Sequence, residues 1–208
     1  MRPHMNERLL DRSTFVERVV HWVVGVSFVA LLLTGLAFSY PALFWLTTLA
    51  GGGPAARALH PWLGVVFGVG MVAVIALWIR DMFLDAGDRE WLGAVHYYAT
   101  HRRDRVPPAG KYNAGQKLFF WFQGLLAAVF VGTGVPLWLP DAFDSSLLAM
   151  ARLLHFAATF GGGLLLVLHV YLSTVAFPGT GRAMIDGKVT KRWARLHHPR
   201  WYEEQNGR

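Results

Sequence analysis

The stretch that decides the fold runs from Leu153 to Phe177 and reads LLHFAATFGGGLLLVLHVYLSTVAF. It contains no Asp, Glu, Lys or Arg. At about 1.5 Å per residue, a helix of this length exceeds the roughly 30 Å hydrocarbon core of a bilayer. Because backbone polar groups must be paired inside lipid, this stretch predicts a transmembrane helix.

Three further runs without charged residues have the same character: Val19 to Tyr40, Leu59 to Ile79 and Leu118 to Leu139. We therefore predict an all-α integral membrane protein, a bundle of four transmembrane helices in a single domain over residues 1–208. With polar helix ends included, the predicted spans are 15–40, 54–83, 114–139 and 146–177. A loop over 84–113 and a tail over 178–208 complete the chain.

Helix starts are marked by capping residues. Thr14 followed by Glu17 has the spacing of a capping box, which predicts a first helix beginning near residue 15. Pro54 suits the first turn of the second helix. Asp144 can cap the fourth.

The basic residues are distributed unevenly. Of the 20 Lys and Arg residues, four precede the first span, seven lie between the second and third, and seven follow the fourth, whereas Arg57 and Arg152 alone fall on the other side. The positive-inside rule then places both termini and the loop 84–113 in the cytoplasm. The net charge of +7 is accordingly attributed to this rule and to contact with membrane lipid, not to a nucleic-acid partner.

Cysteine is absent, which excludes disulfides, cysteine-ligated iron–sulfur clusters and covalently attached haem c. Histidine is therefore the residue type most able to bind a redox metal here. Four of the nine histidines lie in the apolar runs: His21, His60, His155 and His169. An ionisable residue there is a functional hypothesis by default. The others lie in polar segments and are expected to be solvated or lipid-facing: His4, His96, His101, His197 and His198.

The membrane histidines form two pairs by depth. His155 and His169 are 14 residues apart, so they share one helix face and are separated by about 21 Å along the axis. The directions of the helices put His21 at the depth of His169, and His60 at the depth of His155. A haem needs one imidazole on each face of its iron, so each pair can hold one haem b.

Other sites for these histidines need residues that the runs lack. A proton relay usually pairs histidine with Asp or Glu, and the apolar runs contain neither. A zinc or di-iron site would gather its ligands, with carboxylates, at one place. Haem is the hypothesis that requires no further residues.

Glycines occur in register with the histidines. Gly25 and Gly64 each lie one turn after a membrane histidine, and Gly162 lies midway between the two histidines of the fourth run. Glycine inside a helix costs about 0.5–1 kcal/mol relative to alanine, which a flat ring against the backbone would explain. For any single glycine, small-residue helix packing explains it equally well.

Two polar motifs outside the runs are more specific. The segment from Gly110 to Lys117 reads GKYNAGQK, and the tail carries KRWA from Lys191 and HHPRWY from His197. With Leu59-His60-Pro61, they make nearly the whole chain resemble the gamma subunit of membrane-bound respiratory formate dehydrogenase, a b-type cytochrome. Histidine pairs alone would be shared with the cytochromes of nickel–iron hydrogenases.

The resemblance implies two haems b, whose iron is bound by His21 with His169 and by His60 with His155. It implies an iron–sulfur beta subunit and a catalytic alpha subunit with molybdenum or tungsten. These partners would lie on the periplasmic face of the bacterial cytoplasmic (inner) membrane and oxidise formate. This chain would then carry no formate-oxidising residue and would pass electrons from the outer haem to the inner one and to menaquinone or ubiquinone.

The resemblance also places a quinone site beside the inner haem. The matching residues are Asn113, Gly115 and Gln116, with His169 and the turn that follows it. Carboxamides can hydrogen-bond a quinone carbonyl. An interfacial helix cap explains Asn113 and Gln116 equally well.

Three other functions fit part of the pattern: a cytochrome b subunit of a nickel–iron hydrogenase or related oxidoreductase, a cofactor-free membrane anchor, and a transporter. A reduced-minus-oxidised visible spectrum separates the cytochromes from the last two. The identity of a co-purified partner separates formate dehydrogenase from hydrogenase.

Overall fold

The computed structural model describes residues 8–100 and 102–207, with the backbone alone of Arg103. The predictions for His4 and His101 fall outside these residues. In chain order the elements are β1 Leu9–Asp11, α1 Phe15–Ser39, α2 Gly53–Trp78, α3 Ala86–Gly93, α4 Val95–Ala99, α5 Ala114–Trp138, α6 Ser145–Tyr171, α7 Arg182–Ile185, β2 Lys188–Thr190, α8 Lys191–His197 and α9 Pro199–Asn206. Short 3-10 segments lie at Pro41–Ala50, Ile79–Asp81, Arg103–Arg105 and Pro140–Ala142, and a π-helical turn at Leu172–Ala176.

Four of these helices are long and apolar enough to cross a membrane: α1, α2 with its 3-10 extension, α5, and α6 with its π-helical extension. They carry large apolar side chains that are mostly exposed, such as Val69, Phe160 and Val167. A water-soluble surface rarely exposes so much apolar area, whereas lipid would cover it. The predicted fold class, four transmembrane helices, is confirmed.

The predicted caps are present. Thr14 N–H donates to Glu17 Oε2 at 2.6 Å, and Glu17 N–H donates to Thr14 Oγ1 at 3.2 Å, which completes a capping box before α1. Asp144 Oδ1 accepts from the backbone N–H groups of Ser146 and Leu147, each at 2.9 Å, at the start of α6. Pro54 lies in the first turn of α2.

The described residues divide into two compact units. The helical unit comprises residues 19–76 and 123–170, which include most of the four long helices and all four membrane histidines. Its buried centre is formed by Phe67, Met71 and Ala127, with Phe28 and Phe130 packed against them. The single-domain organisation over residues 1–208 stays a prediction.

The flanking unit comprises residues 8–18, 77–122 and 171–207 and holds most of the charged residues. The segments predicted as loop and tail fold into short helices here. Strands β1 and β2 pair antiparallel, with Leu10 opposite Val189. Val189 packs with Trp193 and Trp201 in an apolar core, so the tail is folded onto the residues that precede α1.

The prediction for the tail histidines is wrong. His197 and His198 are buried, whereas His96 is exposed as expected. His198 Nδ1–H donates to the carbonyl of Gly110 at 2.7 Å. Burial and the Arg12 guanidinium hold the pKa of His198 well below its usual range, so the ring is neutral. The two polar motifs of the sequence therefore meet through this bond.

Candidate haem sites

The helical unit brings the four membrane histidines together as two pairs. His21 on α1 and His169 on α6 have ring centroids 6.1 Å apart, with planes inclined at 46°. His60 on α2 and His155 on α6 have centroids 6.4 Å apart, inclined at 59°. The pairing by depth is therefore the spatial pairing, and the ligand role stays a prediction.

Both separations suit a metal held between two imidazoles. A nitrogen–metal bond of about 2 Å on each side, plus roughly 1 Å from nitrogen to ring centre, places the centroids roughly 6 Å apart. Direct hydrogen bonding between the rings would need a nitrogen–nitrogen distance of about 3 Å and leave less room. The residues present thus fit the axial positions of two haem irons.

Two threonines orient the rings of the His60–His155 pair. Thr34 Oγ1 is 2.7 Å from His60 Nδ1 and 2.8 Å from the Ala30 carbonyl. The hydroxyl has one proton, and a carbonyl can only accept, so the proton goes to Ala30 and the oxygen accepts from Nδ1–H. His60 is thereby the tautomer whose Nε2 lone pair is free to bind a metal.

His155 is held in the same way. Thr133 Oγ1 is 2.8 Å from His155 Nδ1 and 2.6 Å from the Val129 carbonyl. A hydrogen bond to the outer nitrogen is the usual support of a metal-binding imidazole, because it fixes ring orientation and tautomer. Both imidazoles of this pair are thus oriented with Nε2 free to bind a metal.

The His21–His169 pair is supported differently. Among the described residues, no hydrogen-bond partner reaches His21 Nδ1, although that atom is buried. Trp22 packs edge-on against the His21 ring, with centroids 5.5 Å apart. The ring of His21 is therefore oriented by packing, and that of His60 by a hydrogen bond.

Glycines next to the two threonines lie beside the rings of the His60–His155 pair. A Cβ at Gly35 would lie 3.8 Å from His60 Cε1, and one at Gly134 would lie 3.6 Å from His155 Cε1. These four residues were not predicted from the sequence. The repeated Thr-Gly dipeptide in two apolar runs, at 34–35 and 133–134, is the signal that could have found them.

The three glycines singled out from sequence behave differently. A Cβ at Gly25 or Gly64 would meet nothing within 4 Å, so both faces leave room for a flat ring. At Gly162 it would lie 2.9 Å from Phe28 Cζ and 3.3 Å from Phe130 Cζ. Gly162 is thus explained by aromatic packing at mid-depth, between the two histidine pairs, and not by a haem.

The quinone candidates Asn113 and Gln116 form a reciprocal helix cap. Asn113 N–H donates to Gln116 Oε1 at 3.0 Å, and Gln116 N–H donates to Asn113 Oδ1 at 2.9 Å. Gly115 packs against Trp91, where a Cβ would lie 3.3 Å from the indole. The cap uses the side-chain oxygens of Asn113 and Gln116, so their side-chain amide N–H groups remain to bind a ligand.

Carboxylates do not join the membrane histidines. Within residues 8–100 and 102–207, no three His, Asp, Glu or Cys side chains lie close enough together to hold a metal ion. The geometry is that of two separate imidazole pairs, which is suited to haem and unlike a zinc or di-iron site.

Known proteins match this chain over nearly its whole length. The family model described as prokaryotic cytochrome b561 matches residues 12–187. The nitrate-inducible formate dehydrogenase cytochrome b556(Fdn) subunit of Escherichia coli (strain K12) is 33% identical over 204 residues, covering 95% of this chain and 92% of the relative. The formate dehydrogenase cytochrome b556 subunit of Haemophilus influenzae is 32% identical over 203 residues, covering 96% and 85%. The cytochrome b556(fdo) subunit of Escherichia coli (strain K12) is 31% identical over 196 residues, covering 93% and 92%.

The four apolar helices define a multi-pass membrane protein, and the paired imidazoles fit a cytochrome of the b type. The chain belongs to the prokaryotic cytochrome b561 family.

Proposed function

We propose that the chain is the electron-transfer subunit of a respiratory formate dehydrogenase complex, anchoring it in the bacterial inner membrane. The names of the relatives support the complex, and the two imidazole pairs carry the electron-transfer role. His21 with His169, and His60 with His155, would each hold one haem b. When bound, the haems supply reversible one-electron chemistry.

The side chains confine that chemistry to electron transfer. Each haem would be held by both imidazoles of its pair, which would leave no position open at the iron for oxygen or formate. The separation of 14 positions from His155 to His169 places the sites about 21 Å apart along α6, at opposite depths of a bilayer. The chain thus offers a path across the membrane.

Partner subunits would supply the electrons. This chain has no cysteine and so holds no cysteine-ligated cluster that could receive electrons from a soluble enzyme. An iron–sulfur beta subunit and a molybdenum- or tungsten-containing alpha subunit on the periplasmic face would fill that role. Menaquinone or ubiquinone would be the acceptor.

The function is tested on the complex purified from native membranes. Formate is expected to produce the reduced b-type absorption bands, and the co-purified chains to include a formate-oxidising subunit. Hydrogen-driven reduction, with no response to formate, would instead identify a hydrogenase cytochrome. A purified complex without b-type absorption would leave only a membrane anchor.

The orientation is a separate part of the proposal. Of the 20 basic residues in the sequence, 18 lie within residues 1–18, 77–122 and 171–208, and only Arg57 and Arg152 lie outside these segments. 

Where the structure describes these segments, they form the flanking unit. By the positive-inside rule this unit faces the cytoplasm.

A reporter fused after Arg208 tests this orientation. We expect activity only from a reporter that works in the cytoplasm, because so many basic residues resist translocation. The matched control is a fusion after Arg57, which should be active only on the outer side. Export of the Arg208 fusion would reverse the direction proposed for electron flow.

The quinone is proposed to bind at Asn113 and Gln116, through the amide N–H groups that the helix cap leaves available. Asn113→Asp separates this role from capping, because Asp caps a helix about as well as Asn but has no amide N–H. Losing one hydrogen bond of about 0.5–1.5 kcal/mol should raise the quinone KM a few-fold to about tenfold.

Two rates are measured in the same preparation: formate-driven haem reduction and quinone reduction. Haem reduction should be unchanged in Asn113→Asp. Asp144→Asn, at the cap of α6, is the matched control and should leave both rates unchanged. Normal quinone kinetics and normal inhibitor sensitivity in both Asn113→Asp and Gln116→Glu would move the site elsewhere.

A further inference from the structure

Reducing a quinone to a quinol consumes two electrons and two protons, and the proposed quinone residues do not supply protons. The carboxamides of Asn113 and Gln116 carry N–H groups that do not ionise near neutral pH. A side chain with a transferable proton must therefore lie nearby, or water must reach the ligand directly. The residue that precedes Asn113 is Tyr112.

The hydroxyl of Tyr112 is held by one bond and keeps its proton available. Trp78 Nε1–H donates to Tyr112 Oη at 2.9 Å. Indole nitrogen only donates, so the tyrosine oxygen accepts here and its own O–H remains to be donated. No other residue in the described part of the chain hydrogen-bonds this hydroxyl.

Two cations lie over the Tyr112 ring. The Arg12 guanidinium carbon is 5.1 Å from the ring centroid, and Lys111 Nζ is 5.2 Å from it. Both favour the phenolate over the phenol, as does the bond from Trp78, whereas the Glu17 carboxylate opposes it. Burial is the largest influence and raises the pKa of Tyr112, so the proton is present until it is needed.

Solvent reaches charged groups beside the Tyr112 ring, from which the phenolate could regain a proton. Lys111 Nζ forms an ion pair at 3.0 Å with Asp81, and both side chains are partly exposed. Arg12, by contrast, is buried against Tyr112, Trp193 and Trp201, and burial lowers its pKa to about 10. The ring is thus close to one buried cation, Arg12, and one partly exposed cation, Lys111.

We propose that Tyr112 is the proton donor to the reduced quinone, an inference that rests on the proposed quinone site at Asn113. After two electrons reach the quinone, the Tyr112 O–H bond breaks and a quinol O–H bond forms. The phenolate left behind is stabilised by Arg12, Lys111 and Trp78 until it regains a proton from water at the polar face. The second proton follows by the same cycle.

The test compares Tyr112→Phe with Asn113→Asp in the purified complex, using formate and a short-chain quinone. General acids typically contribute about 10²–10⁴-fold, so Tyr112→Phe should lower kcat about 100-fold while the quinone KM and haem reduction stay unchanged. Its residual rate should rise as pH falls, because protons then come from water. Tyr202→Phe, which removes a phenol elsewhere in the flanking unit, should match the unmodified protein.

The outcomes separate the two proposals. A normal kcat in Tyr112→Phe with a raised KM in Asn113→Asp would overturn the role of Tyr112 and keep the quinone site. A raised KM with normal kcat in Tyr112→Phe would make Tyr112 a binding residue only and overturn its role as donor. Normal kinetics in both variants would remove the quinone site from this segment.

If Tyr112→Phe does not fold, it will lose its haem, and a second variant then tests the proposal. Trp78→Phe keeps the phenol and removes the hydrogen bond that stabilises the phenolate, so kcat should fall about fivefold. An unchanged kcat in Trp78→Phe with full haem content would count against the proposal.

Discussion

Replacing His60 by alanine is expected to remove one of the two haems and leave the other in place. His60 and His155 face each other with centroids 6.4 Å apart, and no other described histidine lies at their depth on the helical unit. An iron held on one side alone binds weakly, so His155→Ala should have the same effect. His21→Ala and His169→Ala should remove the other haem. The measurement is haem content per chain together with the reduced-minus-oxidised spectrum.

Two further variants test this expectation. His96→Ala changes an exposed histidine and should keep both haems. The double variant His60→Ala, His155→Ala should still retain one haem, because both residues serve the same site. Loss of both haems from this double variant, after loss of one from His60→Ala, would show that the pairing is wrong.

The supporting threonine gives a graded version of the same experiment. Thr34→Val keeps the shape of the side chain and removes the oxygen that accepts from His60 Nδ1–H at 2.7 Å. Loss of such an outer contact typically weakens metal affinity about 10- to 100-fold without abolishing binding. Thr34→Val should therefore release the haem of the His60–His155 pair more easily and leave that of the His21–His169 pair unaffected.

Replacing Lys117 by methionine is expected to destabilise the flanking unit by about 3–5 kcal/mol, because it leaves a buried carboxylate unpaired. Lys117 Nζ lies 2.6 Å from Asp88 Oδ2 and donates to the Phe83 carbonyl at 3.0 Å. The side chains of Lys117 and Asp88 are 7% and 6% exposed, so water cannot replace the lost partner. The measurement is the thermal unfolding midpoint of the purified protein.

Two controls for Lys117→Met test separately the effect of burial and the effect of the Asp88 charge. Arg182→Ala breaks an exposed pair with Asp186 and should cost about 0.5 kcal/mol or less. Adding Asp88→Asn to Lys117→Met should restore much of the stability, because Asn removes the charge and still accepts from Asp85 N–H at the cap of α3. Equal losses in Lys117→Met and Arg182→Ala would contradict the importance of burial.

Sequence periodicity predicted the depth of each histidine, and the structure shows why it could not predict their supports. Rise per residue depends on the helix alone, so His155 and His169 could be assigned to opposite depths from spacing. The contact of His60 with Thr34 depends on how α1 and α2 rotate about their axes when they pack. Spacing within one helix carries no information about that rotation.

The tail histidines show the same limit in polar segments. His198 lies in a charged stretch and was expected at the surface, yet its partner Gly110 is 88 residues away in the chain. A bond of that sequence separation forms only when the tail folds onto the segment before α5. Local composition therefore predicts exposure, and long-range packing decides burial.

By itself, the sequence determined the four spans, the helix caps and the depth of the four histidines, because each follows from apolar length, local hydrogen bonding or the fixed helical rise. Only the tertiary structure decided which polar atoms orient the imidazoles and that Gly162 packs against Phe28 and Phe130. It also decided that Arg12 and Lys111 both lie close to the Tyr112 ring. These depend on contacts between elements far apart in the chain, which close packing fixes and sequence spacing does not.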